Sequence, residues 1–287
     1  MSNPPPSRFW PSWSGLVDDA ATFPPGNAAL DDAVEAYAAR EGEWYADLVG
    51  SLVVKDTDIG SVGRALPLSV VVTGGAGAVA GALKLVERRD HRLKGLEIAL
   101  RDPDDLAGNA RRVVAAVDAA RGEGLLDEEA PVFVELPQGE VTWGWQAAAD
   151  EVASAELRLK FRTGGVEAHL FPTAAELTTW VDAALDRETP FKCTAGLHNA
   201  VRHRDDETGF EHHGFLNVLL ATRALFDGAT TSEAVELLES RDGARLAERA
   251  DGIDLAGARR WFTSFGSCSV REPLDDLLAL GLLQETP

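Results

Sequence analysis

The sequence predicts an α/β protein, a (β/α)8 TIM barrel with a short N-terminal arm and extra C-terminal helices. Two observations lead there. Short apolar runs alternate with longer segments of helical periodicity, the signature of parallel strands joined by helical crossovers. Eight such runs fall between residues 15 and 220, the number a closed barrel needs. An open doubly wound sheet gives the same alternation, but it normally opens with a glycine-rich phosphate loop after the first strand. Here that turn reads Asp18-Asp-Ala-Ala-Thr-Phe-Pro-Pro25, and Val72-Thr-Gly-Gly-Ala-Gly77 is a bare glycine cluster.

In order along the chain, residues 1–14 are a Pro-rich arm. The barrel is expected over 15–250. Its runs are a weak Gly15-Leu-Val-Asp18, then Gly50–Lys55, Leu68–Thr73, Gly95–Leu100, Pro131–Leu136, Glu156–Phe161, Pro190–Thr194 and Gly214–Leu220. The last, continued to 226, also reads as the start of a helix. Helical patterns lie at 31–47, 76–90, 104–121, 143–154, 173–186 and 231–250, several opening with an Asp, Thr or Ser cap. Residues 251–287, including Trp261-Phe-Thr-Ser-Phe-Gly-Ser-Cys-Ser269, are expected to pack on the barrel as a helical extension.

At 287 residues the chain can bury a full core, and its 45% apolar and 26% charged residues are ordinary for a globular protein. Its charge is not ordinary: 27 basic against 47 acidic residues leave −20. Such a surface repels phosphate backbones and anionic lipid, so neither nucleic acid nor membrane is an expected partner. No run approaches a membrane span and the start lacks a signal-peptide pattern, so a cytoplasmic protein is expected. Cys193 and Cys268 cannot make a disulfide scaffold or a zinc ribbon.

Alternation along the runs points to the interior. Side chains of a strand face opposite sides in turn, and one side of a barrel strand must meet the helices. On the sixth run Leu157, Leu159 and Phe161 take that side, leaving Arg158, Lys160 and Arg162 inward. The seventh turns Lys192 and Thr194 inward. The fifth does so with Phe133 and Glu135, and the fourth with Glu97, Ala99 and Arg101. Cations and carboxylates from four neighbouring strands are costly inside a core unless they form a site near the strand C-termini. Only five lysines occur in the chain, and two of them are in this set. A lysine desolvated beside other cations has a lowered pKa and attacks a carbonyl as a free amine, forming a Schiff base.

Leu159-Lys-Phe-Arg-Thr-Gly-Gly165 followed by Pro190-Phe-Lys-Cys-Thr-Ala-Gly196 resembles deoxyribose-phosphate aldolase, a class I aldolase family of TIM barrels, as a remote relative. That family carries Lys-Thr-Ser-Thr-Gly on strand six and Lys-(Ala/Pro)-(Ser/Ala)-Gly-Gly on strand seven. The resemblance implies that Lys160 is the Schiff-base lysine and Lys192 the second lysine that depresses its pKa. It further matches Asp18 to the family's first-strand acid, Glu97 to one of its two fourth-strand acids, with Ala99 in place of the other, and Glu135 to a fifth-strand glutamate. The segments Ala195-Gly-Leu-His-Asn-Ala-Val-Arg202 and Phe215–Leu220 lack the family's Gly- and Ser-rich phosphate turns, which implies a non-phosphorylated substrate.

The expected site is therefore Lys160, Lys192, Glu97, Glu135 and Asp18 as catalytic groups, with Arg158, Arg162, Thr194, His198 and Asn217 binding substrate. The favoured activity is that of an aldolase or lyase on a small carbonyl or carboxylate compound, with no cofactor. Two alternatives stand beside it. One is an acid/base or metal-assisted isomerase, lyase or hydrolase using Glu97, Glu135 and His198, since His198, His203, Glu211, His212 and His213 cluster in one segment. The other is a non-catalytic binder whose Arg158, Lys160, Arg162 and Lys192 clamp an anionic metabolite. Cys193 reads as core and Cys268 as a loop residue able to approach the site. Trp143 and Trp145 are expected on the barrel rim or the pocket wall. A homo-oligomer is possible through the leucine-rich tail.

Overall fold

The computed structural model describes residues 12–285, so residues 1–11 of the expected arm lie outside the described residues. The arm's end is not free: Trp13 is buried, and its Nε1 donates to the Leu282 carbonyl at 2.9 Å, tying it to the C-terminal tail.

Strands β1 (Val17–Asp19), β2 (Val49–Lys55), β3 (Pro67–Val72), β4 (Arg92–Ala99), β5 (Val132–Glu135), β6 (Arg158–Arg162), β7 (Phe191–Thr194) and β8 (Phe262–Ser267) close a parallel barrel. Each pairs with the next, and β8 returns to β1. Outside lie α1 (Leu30–Ala39), α2 (Val79–Arg88), α3 (Leu106–Gly122), α4 (Trp143–Ser154) and α5 (Ala174–Asp186). Their starts follow side-chain chemistry: Asp105 caps α3, Thr142 caps α4, and Thr173 with Glu176 forms a reciprocal box on α5. The alternation read from the sequence thus corresponds to a closed barrel, with seven of its strands where expected.

The eighth strand is elsewhere. Residues 215–226 form α6 (Phe215–Phe226), and the strand that closes the barrel is β8, inside the segment assigned to a helical extension. The barrel consequently runs past residue 250. An all-apolar run has no period to separate a buried helix from a buried strand, and α6 is buried almost all round, packed among α5, α7 (Thr231–Glu239), α8 (Gly243–Asp251) and α9 (Leu255–Arg259). In β8 the register against β7 slips between Phe262 and Ser264, which breaks the two-residue alternation that marks a strand. After it, α10 (Arg271–Ala279) completes the extra C-terminal helices. Among the described residues no helix is long and apolar enough to cross a membrane.

Candidate active site

The barrel's interior side chains form one chain of ion pairs. Register sets it up: Glu135 on β5 lies beside Lys160 on β6, which lies beside Lys192 on β7, which lies beside Ser264 on β8. Glu97, on β4, bridges the two lysines, taking Lys192 Nζ at 2.7 Å on one oxygen and Lys160 Nζ at 2.7 Å on the other. Lys160 also meets Glu135 at 2.9 Å, and Glu135 in turn holds Arg162 Nε at 3.1 Å. At the opposite end, Lys192 donates to Asp18 Oδ2 at 2.7 Å. Asp18 accepts further from Ser51 Oγ at 2.6 Å and Ser264 Oγ at 2.7 Å. The Phe133 ring lies 5.2 Å from Lys192 Nζ and closes the floor. Room for that ring comes from Gly95, where a Cβ would stand 3.3 Å from Phe133.

The loops after β6 and β7 lock this register from above. A Cβ on Gly164 would come within 2.7 Å of Gly196 Cα, and Gly196 holds φ +76° with Thr163 O 2.8 Å from its own Cβ position. Backbone touches backbone there, so the glycines of the two lysine motifs keep Lys160 and Lys192 side by side.

Electrostatics follow from this pairing. Burial pushes the Glu97 carboxyl up, but Lys160 and Lys192 overcome that and bring it down to about 2. Glu135 is also lowered: burial opposes, and Lys160 and Arg162 prevail. Burial pulls both lysines down, yet Glu135 and Glu97 raise Lys160 above its ordinary value, and Asp18 and Glu97 raise Lys192. The expected lowering of the Lys160 pKa by Lys192 is therefore corrected. The second lysine does not face the first across empty space, because a carboxylate stands between them.

A cavity of about 300 Å³ opens over the chain at the C-terminal mouth of the barrel, where barrel active sites are built. Lys160, Lys192, Glu97, Glu135, Arg162, Thr194 and His198 all reach it, and so does Cys268. Its other side is apolar, made by Ala20, Phe23, Pro24, Val53 and Val71. His198 sits at the rim, with Nδ1 2.9 Å from Glu272 Oε2 and both ring nitrogens 3.9 Å from Cys268 Sγ. Burial, and then Glu272, push the Cys268 thiol pKa up. Cys193 is fully buried in the core.

Two expected site residues lie elsewhere. Arg158 points inward but stands at the start of β6, its guanidinium over the Phe133 ring at 5.6 Å, at the end of the barrel away from the mouth. Alternation gives the side of a strand and says nothing of height along it. Asn217 is on α6, fully buried, donating to the carbonyls of Leu237 and Ser240 at 2.7 and 2.8 Å and accepting from Arg202 N. It is a latch between α6 and the end of α7.

The histidine segment also resolves into local structure. Strands His203–Arg204 and Glu211–His212 form a small hairpin in which the His203 and His212 rings lie 5.2 Å apart, tilted by 31°. His213 is buried against the Pro172 carbonyl at 2.8 Å, and burial lowers its pKa to about 4. Among the described residues no group of three or more His, Cys, Asp or Glu is arranged to hold a metal. Trp145 is buried and donates to the Pro137 carbonyl, whereas Trp143 is exposed.

Sequence reasoning missed Ser51, Ser69 and Ser264. The signal for the first two was present: each is a serine inside an apolar run, on the inward parity of its strand.

Together these features define the class as a closed (β/α)8 barrel whose charged interior ends in a cavity at the C-terminal mouth. In fold it is similar to the tetrameric deoxyribose phosphate aldolase from Aeropyrum pernix, with a TM-score of 0.55 over 94% of this chain and 93% of that one. Identity is 13%, so the likeness is one of fold. No protein-family model matches the sequence, and no curated protein matches it.

Proposed function

We propose that the protein is a lyase of the class I aldolase type, acting on a small, non-phosphorylated carbonyl compound through a Schiff base on Lys160. One observation carries this reading: the Lys160 ammonium is buried between two carboxylates, and it and Glu135 both border the cavity. A raised pKa means that the resting amine is protonated, so its proton must leave before attack. Glu135, 2.9 Å away, is the acceptor. That transfer turns an ion pair into a neutral pair with no change in net charge. The amine lone pair then adds to the carbonyl carbon and the oxygen gains a proton from the nitrogen, giving the carbinolamine. Glu135 returns its proton to the hydroxyl, water leaves, and the nitrogen lone pair forms the iminium. The iminium carries the same single charge between Glu97 and Glu135 that the ammonium carried, so the interior stabilises the intermediate as it does the resting state. In the cleavage direction the iminium accepts the electron pair of the breaking carbon–carbon bond, and His198 takes the proton of the β-hydroxyl.

Borohydride reduction with a panel of small carbonyl compounds tests this reading. A reduced adduct on the Lys160 peptide is expected, lost in Lys160→Met; no adduct with any compound overturns it. The raised lysine pKa favours a second reading, in which the cavity binds its ligand without a covalent step. Thermal stabilisation by a carbonyl ligand that borohydride never fixes would select that one. The tetrameric state of the similar aldolase supports a homo-oligomer here too, which sedimentation checks.

A further inference from the structure

The cavity has two unlike walls and one spare cation. We infer that the carbonyl substrate is an oxo acid with an apolar tail, its carboxylate held by Arg101 at the lip of β4. This inference rests on the Schiff-base reading and adds the substrate class.

The charge count comes first. Asp18, Glu97 and Glu135 balance Lys160, Lys192 and Arg162, each ion paired with its neighbours. None of these cations is left over for an anionic ligand. Arg101 also lines the cavity, and among the described residues its guanidinium has no carboxylate partner. Two of the acids that follow it are engaged elsewhere. Asp102 pairs with Arg112 at 3.3 Å, and Asp105 caps α3 through Gly108 N at 2.9 Å while reaching Arg112 at 3.5 Å. Asn109 Oδ1 accepts from both Arg101 N at 2.9 Å and Asp102 N at 3.3 Å, which fixes the loop that carries the guanidinium. Arg101 is exposed at the mouth, and its guanidinium, with no carboxylate of its own among the described residues, is free to take one negative charge from a ligand entering the cavity. A carboxylate brings that charge. A phosphate dianion would exceed it, next to Glu135.

The second wall decides the rest of the molecule. On the β1–β3 side the lining is Phe23, Pro24, Val53 and Val71, without a polar side chain. A polyol lying there would lose water at each hydroxyl and find no partner. An aliphatic or aromatic tail gains by burial instead.

The test is borohydride trapping with three probe series: pyruvate, 4-methyl-2-oxopentanoate and phenylpyruvate; the uncharged butanone, 4-methylpentan-2-one and phenylacetone; and glyceraldehyde 3-phosphate. Each rate of Lys160 labelling is divided by that probe's rate with free butylamine. The oxo acids are expected to lead their uncharged partners by up to about fivefold, the range of a pair to an exposed guanidinium, and the longer tails to lead pyruvate. Arg101→Gln should bring the oxo acids down to the uncharged series, and Arg101→Lys should leave an intermediate lead. Equal labelling by the uncharged series, a lead that survives Arg101→Gln, or preference for the phosphorylated aldehyde would each overturn the inference while leaving the Schiff base intact. Labelling by none of the probes would remove both.

Discussion

The two ends of the interior ion chain use the same residue types for different ends. At the deep end, Lys192 is 1% exposed and is enclosed by Asp18, Glu97 and the Phe133 ring, with Asp18 held in turn by two serine hydroxyls. At the mouth end, Lys160 shares Glu97 but turns its other side to Glu135, whose partner Arg162 reaches solvent. Lys192 donates to Asp18 and Glu97, both of them buried in the interior. Around Lys160 a proton can pass to Glu135 and back at the cavity surface. On the proposed Schiff-base reading, Lys192 stays charged and Lys160 is the lysine that changes.

The sharpest break of this contrast is the pair Lys160→Met and Lys192→Met. Lys160→Met should abolish adduct formation outright, as read by mass spectrometry, and cost less stability, since Glu97 keeps Lys192 and Glu135 keeps Arg162. Lys192→Met leaves Asp18 with no cation and should cost about 3–5 kcal/mol, the penalty for orphaning a buried charge. Denaturant titration of both variants measures the difference. If Lys160→Met proves the more destabilising, the division into a holding end and a reacting end is wrong.

Acid is the next probe. Glu97 has its pKa lowered from 4.5 to about 2 in the folded protein. A depressed carboxylate contributes stability that is whole above its unfolded pKa and disappears as pH falls through the folded one. Stability should therefore drop between about pH 4.5 and pH 2, by on the order of 3 kcal/mol from this group. Glu97→Gln should remove much of that slope. Both lysines are raised, so their contribution is whole at neutral pH and is lost only above the ordinary lysine range near 10.5. A slope centred near pH 7 would mean that some other group governs the interior.

Much of this arrangement was legible in the sequence, and the losses have physical causes. The inward set Glu97, Glu135, Lys160, Arg162 and Lys192 follows from two-residue alternation alone, because a half-apolar strand has only one way to face. Arg158 follows the same rule and still falls outside the site, since parity carries no height. Alternation failed at β8, where the register slip puts Phe262 and Phe265 three positions apart in the buried core. Asn217 was misplaced because a continuous apolar run hides its period. The sign of the lysine shifts was out of reach for a different reason. It depends on whether a carboxylate or open space lies between residues 160 and 192, a fact of three strands at once.

The smallest effect tests the deep end's hydroxyls. Ser51 Oγ donates to Asp18 at 2.6 Å and lies 2.7 Å from Ser69 Oγ. Its one proton goes to the carboxylate, so Ser69 is the donor in the second contact. Ser51→Ala removes one of three partners from Asp18 and leaves the Ser69 hydroxyl without an acceptor, while Lys192 and Ser264 still hold the carboxylate. A cost of about 1 kcal/mol is expected, near the usual worth of one buried hydrogen bond, and adduct formation on Lys160 should keep its wild-type rate. A loss as large as that of Lys192→Met would mean that the hydroxyls, and not the ammonium, hold Asp18 in place. The deep end would then be a hydrogen-bonded serine cluster with a lysine resting on it, and the contrast between the two ends would need another basis.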